Sequence, residues 1–150
     1  MEQPRRKQDG FKLTFVVWQF VRVMVQLEKT GTKSQAYRAW RDQWKKLDRR
    51  LDRLGKSSRA GFSTLMMTEE VVIDKVTAAE LSDVRRALDT VIRQINTDIQ
   101  KCEPEDEMLG GLEFELTELA ALRDEVRAMA PPPRTARRKG AGGGRPKRTS

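Results

Sequence analysis

The chain has 150 residues, with 30 Lys and Arg against 22 Asp and Glu, no His, one Cys, 37% hydrophobic and 6% aromatic residues. That is enough for one modest domain and a tail. The absence of His excludes Ser-His and Cys-His catalysis and zinc-finger chemistry, and a lone Cys cannot form an intramolecular disulfide, so the fold must rest on apolar burial and a cytoplasmic or nucleoid- or nucleus-associated setting is expected.

The net charge of +8 is unevenly placed. Residues 1–60 carry 16 basic and 6 acidic side chains, 61–102 carry 5 and 7, 103–130 carry 2 and 9, and 131–150 carry 7 and none. The first 130 residues are thus nearly neutral but polarised, and a basic front half packed against an acidic back half would neutralise both blocks. Three divisions follow: a flexible N-terminus over 1–10, a helical domain over 11–130 and a disordered tail over 131–150.

Leu13 to Leu27 is the most apolar stretch. Gln19, Arg22 and Gln26 interrupt it and it is shorter than the ~20 residues a bilayer requires, so no membrane insertion is expected. The β-branched Val16, Val17, Val21, Val23 and Val25 suit a strand, with the odd positions from Phe11 lining one face. Against this, Lys12, Gln19, Arg22, Gln26 and Lys29 fall in a narrow stripe at helical spacing, and a helix over 11–29 is the reading adopted, with strand as the alternative.

Thr32-Lys33-Ser34-Gln35 matches a capping box and predicts a helix over 33–54. Tyr37, Trp40, Trp44, Leu47, Leu51 and Leu54 recur on alternating three- and four-residue steps, a heptad seam ending at Gly55. Lys56 to Gly61 reads as a connector, and Phe62, Leu65, Met66, Val72, Ile73 and Val76 as a short helix or irregular cover over the core. Thr77-Ala78-Ala79-Glu80 is a second capping box, predicting a helix over 78–102 whose seam of Leu81, Val84, Leu88, Val91, Ile95 and Ile99 includes Cys102 as a small buried hydrophobe. Pro104 and Gly110-Gly111 then break the chain, and a last helix over 112–129 turns Leu112, Leu116, Leu119, Leu122, Val126 and Met129 inward before Pro131. The fold class expected is therefore all-α, an antiparallel bundle of about four helices with heptad-like seams. Such seams also suit pairing with a second copy, so a homodimer and burial within one chain are both open.

The chemistry-bearing groups point away from an enzyme, and no catalytic residue, cofactor or metal is assigned. Glu103, Glu105, Asp106 and Glu107 depart from the spacing of a calcium loop and read as a solvated acidic turn. The glycines near Gly142 lack the strand and the G-K-S/T ending of a phosphate loop. Two basic features remain. On the second helix, Arg38, Arg41, Lys45, Arg49 and Arg53 share a face, with Lys46 and Arg50 beside them, able to follow a phosphate backbone. Asp42, Asp48 and Asp52 dilute this face through local pairs such as Asp42 with Lys46.

The tail supplies Arg137, Arg138, Lys139, Arg145, Lys147 and Arg148 among 4 Pro and 4 Gly, with no acidic residue. Its end, Gly144-Arg145-Pro146-Lys147-Arg148, resembles the AT-hook, a minor-groove DNA-binding motif built around Gly-Arg-Pro with flanking basic residues. The resemblance covers about five residues, and Gly143 stands where AT-hooks usually carry another Arg. It implies that Arg145 enters the narrow, electronegative groove of A/T-rich DNA while Lys147 and Arg148 contact phosphate. A generic polybasic tail for any anionic partner is the competing reading. The function expected is a non-enzymatic helical protein associated with nucleic acid, DNA or RNA, through this tail, its body serving self-association or partner binding. The alternative is a scaffold, adaptor or inhibitor that meets a protein partner through the acidic stretch Glu103–Glu118 and the Met-rich connector.

Overall fold

A computed structural model of the chain describes residues 10–31 and 34–129. Within them lie five helices and two strands: β1 (Phe11–Val16), α1 (Val17–Thr30), α2 (Gln35–Ser57), α3 (Arg59–Thr68), β2 (Glu70–Val76), α4 (Ala78–Lys101) and α5 (Met108–Met129). The chain is therefore mostly helical, but the all-α expectation is corrected by a small sheet, and five helices stand where about four were expected.

The first apolar segment holds both periodicities in succession. Over β1, Leu13 and Phe15 are buried while Lys12 and Thr14 are exposed, the alternation of a strand. From Val17 onward the buried apolar set (Val17, Trp18, Phe20, Val23, Met24, Leu27) follows a helical repeat. A helix over 11–29 is thus corrected at its first six residues. The change of conformation is held by two bonds: Val17 N–H donates to the Glu69 carbonyl at 2.8 Å, and Val16 N–H donates to Gln19 Oε1 at 2.9 Å. The polar stripe read across this segment is not a solvent face, since Gln19 and Gln26 are 6% and 7% exposed.

β1 and β2 pair antiparallel, with Leu13 opposite Ile73, Phe15 opposite Val71 and Phe11 opposite Val76. Between Phe11 and Leu13 stands Lys12 alone, whereas Asp74 and Lys75 both stand between Ile73 and Val76, so β2 is bulged by one residue. Lys75 takes a left-handed φ of 57° in the bulge. The extra residue returns Val76 to the same face as Ile73, and both are buried. Gly10 packs against this turn at φ 113°, where an added Cβ would lie 2.6 Å from the Lys75 carbonyl carbon. Only glycine meets both requirements there.

The N-terminus of α2 is fixed from a distance. Ser34 Oγ accepts from Tyr37 N–H at 3.1 Å and donates to Asp83 Oδ2 at 3.2 Å; the same Asp83 oxygen accepts from Ala36 N–H at 3.1 Å. Asp83 is on α4 and nearly buried, and it places a carboxylate at the positive end of the α2 dipole. The cap is Ser34, and Thr32 of the expected capping box lies outside the described residues. At its other end α2 continues through Gly55 to Ser57, so the predicted stop is corrected by three residues. Ser58 then ends α2 through its N–H to the Leu54 carbonyl at 2.7 Å and starts α3 through Oγ, which accepts from Gly61 N–H at 2.9 Å. Leu51, Leu65 and Val17 form a small apolar cluster at this corner, with Leu54, Phe62 and Met66 around it. That burial against α3 is what holds the last turn of α2 despite its glycine.

The Thr77 cap of α4 forms as its sequence specifies: Glu80 N–H donates to Thr77 Oγ1 at 3.1 Å and Thr77 N–H to Glu80 Oε1 at 3.0 Å. α5 begins at Met108, ahead of the predicted Leu112. Gly110 and Gly111 lie inside its first turns, and Asp106 Oδ1 accepts from Met108 N–H at 2.9 Å. The acidic turn before α5 thus sits where a helix N-terminus favours negative charge.

The core joins β1, β2, α1, α2, α4 and α5. At its centre Phe20 stands 5.3 Å from Phe15, 6.5 Å from Trp40 and 6.4 Å from Trp44, ring to ring, so the aromatic half of the α2 seam is occupied within the chain. Leu119, Leu122 and Val126 seal α5 onto α4, and Leu112, Leu116 and Met129 pack at the margin.

Candidate nucleic-acid interface

Because Tyr37, Trp40, Trp44 and Leu51 turn α2 inward, the opposite face of the helix is fixed outward. Arg38, Arg41, Lys45, Arg49 and Arg53 are all exposed on it, as are Lys46 and Arg50. At 1.5 Å per residue the five run for about 22 Å along one rigid helix.

Their pairing is sparse. Arg50 is bound by Glu69 in a two-pronged contact, Nη1 to Oε2 at 2.8 Å and Nη2 to Oε1 at 3.2 Å, and Lys56 meets Asp52 at 3.3 Å. Among the described residues, none of Arg38, Arg41, Lys45, Arg49 and Arg53 has a carboxylate within 4.0 Å. The local pair expected between Asp42 and Lys46 is not formed: both groups are exposed, and water screens the attraction that would have to fix the long lysine side chain in one geometry. Nor does the acidic half of the chain cover this face: α5 lies on α4, and the front-to-back contact it makes is Arg22 Nη2 with Glu115 Oε1 at 2.6 Å, on α1. Among the described residues, the mutual neutralisation expected of the two halves is therefore limited to Arg22 with Glu115 and Arg50 with Glu69.

The remaining candidates separate. Arg137, Arg138, Lys139, Arg145, Lys147 and Arg148 lie outside the described residues. Of the Met-rich connector, Leu65 is core, Met66 is half-buried and Met67 is exposed. Cys102 is half-buried at the C-terminus of α4, and burial together with the Asp106, Asp98 and Glu113 carboxylates pushes its thiol above the usual range. On the acidic side, Phe114 is 45% and Met108 66% exposed, with the Phe114 ring 6.0 Å from Trp18.

Sequence reasoning missed Asp83, whose partners at Ser34 and Ala36 are brought to it only by the fold. A cleft of about 510 Å³ opens beside it, lined by Leu27, Ser34, Gln35, Arg86 and Thr90. Its carboxylate is already committed to the α2 N-terminus and to Arg86, which is the work of a helix cap. Among the described residues, no three His, Cys, Asp or Glu side chains gather as a metal site, and no helix is long and apolar enough to cross a membrane. Comparison with protein-family models, curated proteins and solved structures found no match for the chain.

Proposed function

We propose that the chain is a non-enzymatic nucleic-acid-associated protein that tethers its helical domain to a polyanionic backbone through two basic elements, the outer face of α2 and the tail beyond residue 130. The observation that carries this reading is the row of five exposed cations on α2 without carboxylate partners among the described residues. Such a row gains by releasing the counterions condensed on phosphates. Two weak, salt-sensitive elements on one chain raise overall affinity by effective concentration rather than by tight individual contacts.

The test is a salt series of binding by the full chain to a labelled 20-base-pair duplex. Replacing Arg38, Arg41, Lys45, Arg49 and Arg53 by Gln lowers the slope of log K against log salt by about 4 to 5, at roughly 0.9 per phosphate contact. Replacing Arg137, Arg138, Lys139, Arg145, Lys147 and Arg148 by Gln lowers it by about 5 on the same basis. Absence of binding at low salt, or a slope that neither set changes, refutes the proposal. A second reading, a scaffold or adaptor, is favoured by the exposed Phe114 and Met108 on the acidic side. It predicts a protein partner captured equally with or without nuclease and lost in Phe114→Glu.

A further inference from the structure

We infer, resting on the reading just given, that the ligand of the α2 face is duplex nucleic acid held by its backbone, without base stacking and without sequence readout. The first ground is what α2 does with its aromatic residues. Proteins that prefer single strands stack successive bases on exposed rings beside a basic groove, at about fivefold or more per base. Here Tyr37, Trp40 and Trp44 are all in the core, and Phe114, the exposed aromatic ring among the described residues, is on α5 between Glu113 and Glu115. The basic face has cations and no platform.

The second ground is the shape of the charge. Five cations on one packed helix form a straight, rigid row of about 22 Å, and a duplex offers a matching rigid line with a charge per ~1.7 Å of axis, twice the density of one strand. With five contacts, slopes of about 0.9 per contact for a duplex and 0.7 for a single strand differ by about one. If the two affinities converge near 1 M salt, the duplex is favoured about tenfold at 0.1 M.

The third ground is what stands between the cations. Asp42 and Asp52 fall on the same outward face, four residues from Arg38 and three from Arg49, and both are exposed. Pressing these carboxylates into a groove walled by phosphates would bring like charges together and strip water from them. The helix therefore lies on the backbone rather than reaching base edges, where sequence is read.

The experiment uses the full chain with all seven tail cations, Arg134 and the six named above, replaced by Gln, so that α2 is read without the tail. The probes are A/T-rich and G/C-rich 20-base-pair DNA duplexes and a 20-nucleotide single strand, each at about 0.1 M salt. The expected result is a duplex preference of about tenfold over the single strand, the two duplexes within about threefold, and loss of duplex binding when the five α2 cations are also replaced. Single-strand binding as tight as duplex binding, or a sequence preference above about tenfold, overturns the inference. So does a tail-neutralised chain that binds none of the three probes. In that case the unmodified chain separates the two readings: if it still binds, nucleic-acid association stands on the tail alone, and if it does not, both fall. Circular dichroism of each variant confirms that α2 remains helical.

Discussion

The contact between Asp83 and the start of α2 makes a quantitative prediction about the element that carries the basic face. In Asp83→Ala, Ala36 N–H, a buried donor, loses an ionised acceptor at 3.1 Å, and the Ser34 hydroxyl loses the acceptor of its proton at 3.2 Å while still accepting from Tyr37 N–H. Removing a charged acceptor from a buried donor costs about 1.5–3 kcal/mol, and the favourable placement of a carboxylate at a helix N-terminus adds about 0.3–1 kcal/mol. The ion pair with the exposed Arg86 adds little, because it is largely screened by water. The expected loss is about 3 kcal/mol, or a fall in Tm of about 10 °C for a chain of this size. Asp83→Asn keeps an acceptor and should lose about half as much. Urea unfolding followed by tryptophan fluorescence reads the change directly, since Trp40 and Trp44 are on α2. A double-mutant cycle with Ser34→Ala should show coupling above about 0.5 kcal/mol. An Asp83→Ala protein within about 0.5 kcal/mol of the parent, or a cycle with no coupling, would refute the assignment of Asp83 as the cap of α2.

Trp44→Ala empties a site that is 8% exposed and removes the ring facing Phe20, at an expected cost of about 3–5 kcal/mol in chemical denaturation; a cost below about 1 kcal/mol would show that the aromatic cluster is not the anchor. Lys75→Gly relieves a left-handed residue in the bulge and should raise stability by up to about 1 kcal/mol, whereas Gly10→Ala should lower it and disturb the strand pairing, both measurable by thermal unfolding. Because burial first and the Asp106 carboxylate second raise the Cys102 thiol, its alkylation by iodoacetamide should be slow at pH 8, reach half its maximal rate at a higher pH than a free cysteine does, and quicken in Asp106→Asn. A pH profile matching that of free cysteine would contradict this environment.

The parts of the fold legible in the sequence were those governed by neighbouring residues. Thr77 and Glu80 cap α4 through bonds spanning three positions, and the α2 seam buries the rings its spacing places on one side. β2 was missed for a specific reason. Its bulge puts Ile73 and Val76 on one face three residues apart, a spacing that imitates a helix, and the exposed Val72 hides the alternation of Val71 and Ile73 that would mark a strand. The first apolar segment satisfied two periods because it uses both. The cap of α2 was placed at Thr32 because the sequence around it obeys the local rule, while Ser34 is reinforced by an aspartate far along the chain. The outward row of cations was legible once the seam had fixed the inward face. Its lack of carboxylate partners among the described residues was not, since that depends on α5 settling against α4 rather than against α2.

The β1–β2 clasp also sets an order of events. Phe11 pairs with Val76, so α1, α2 and α3 all lie inside the loop that this pairing closes. Phe15 and its neighbours cannot be covered by their partner strand until residue 76 has been made, several seconds after residue 27 at ~5–20 residues per second. During that interval β1, which opens the most apolar stretch of the chain, presents an unpaired strand edge. The closing step is non-local, which slows folding relative to a helical array of adjacent hairpins. Refolding should therefore be slower than the high helix content suggests, and a newly made chain is most exposed to misassociation before β2 arrives.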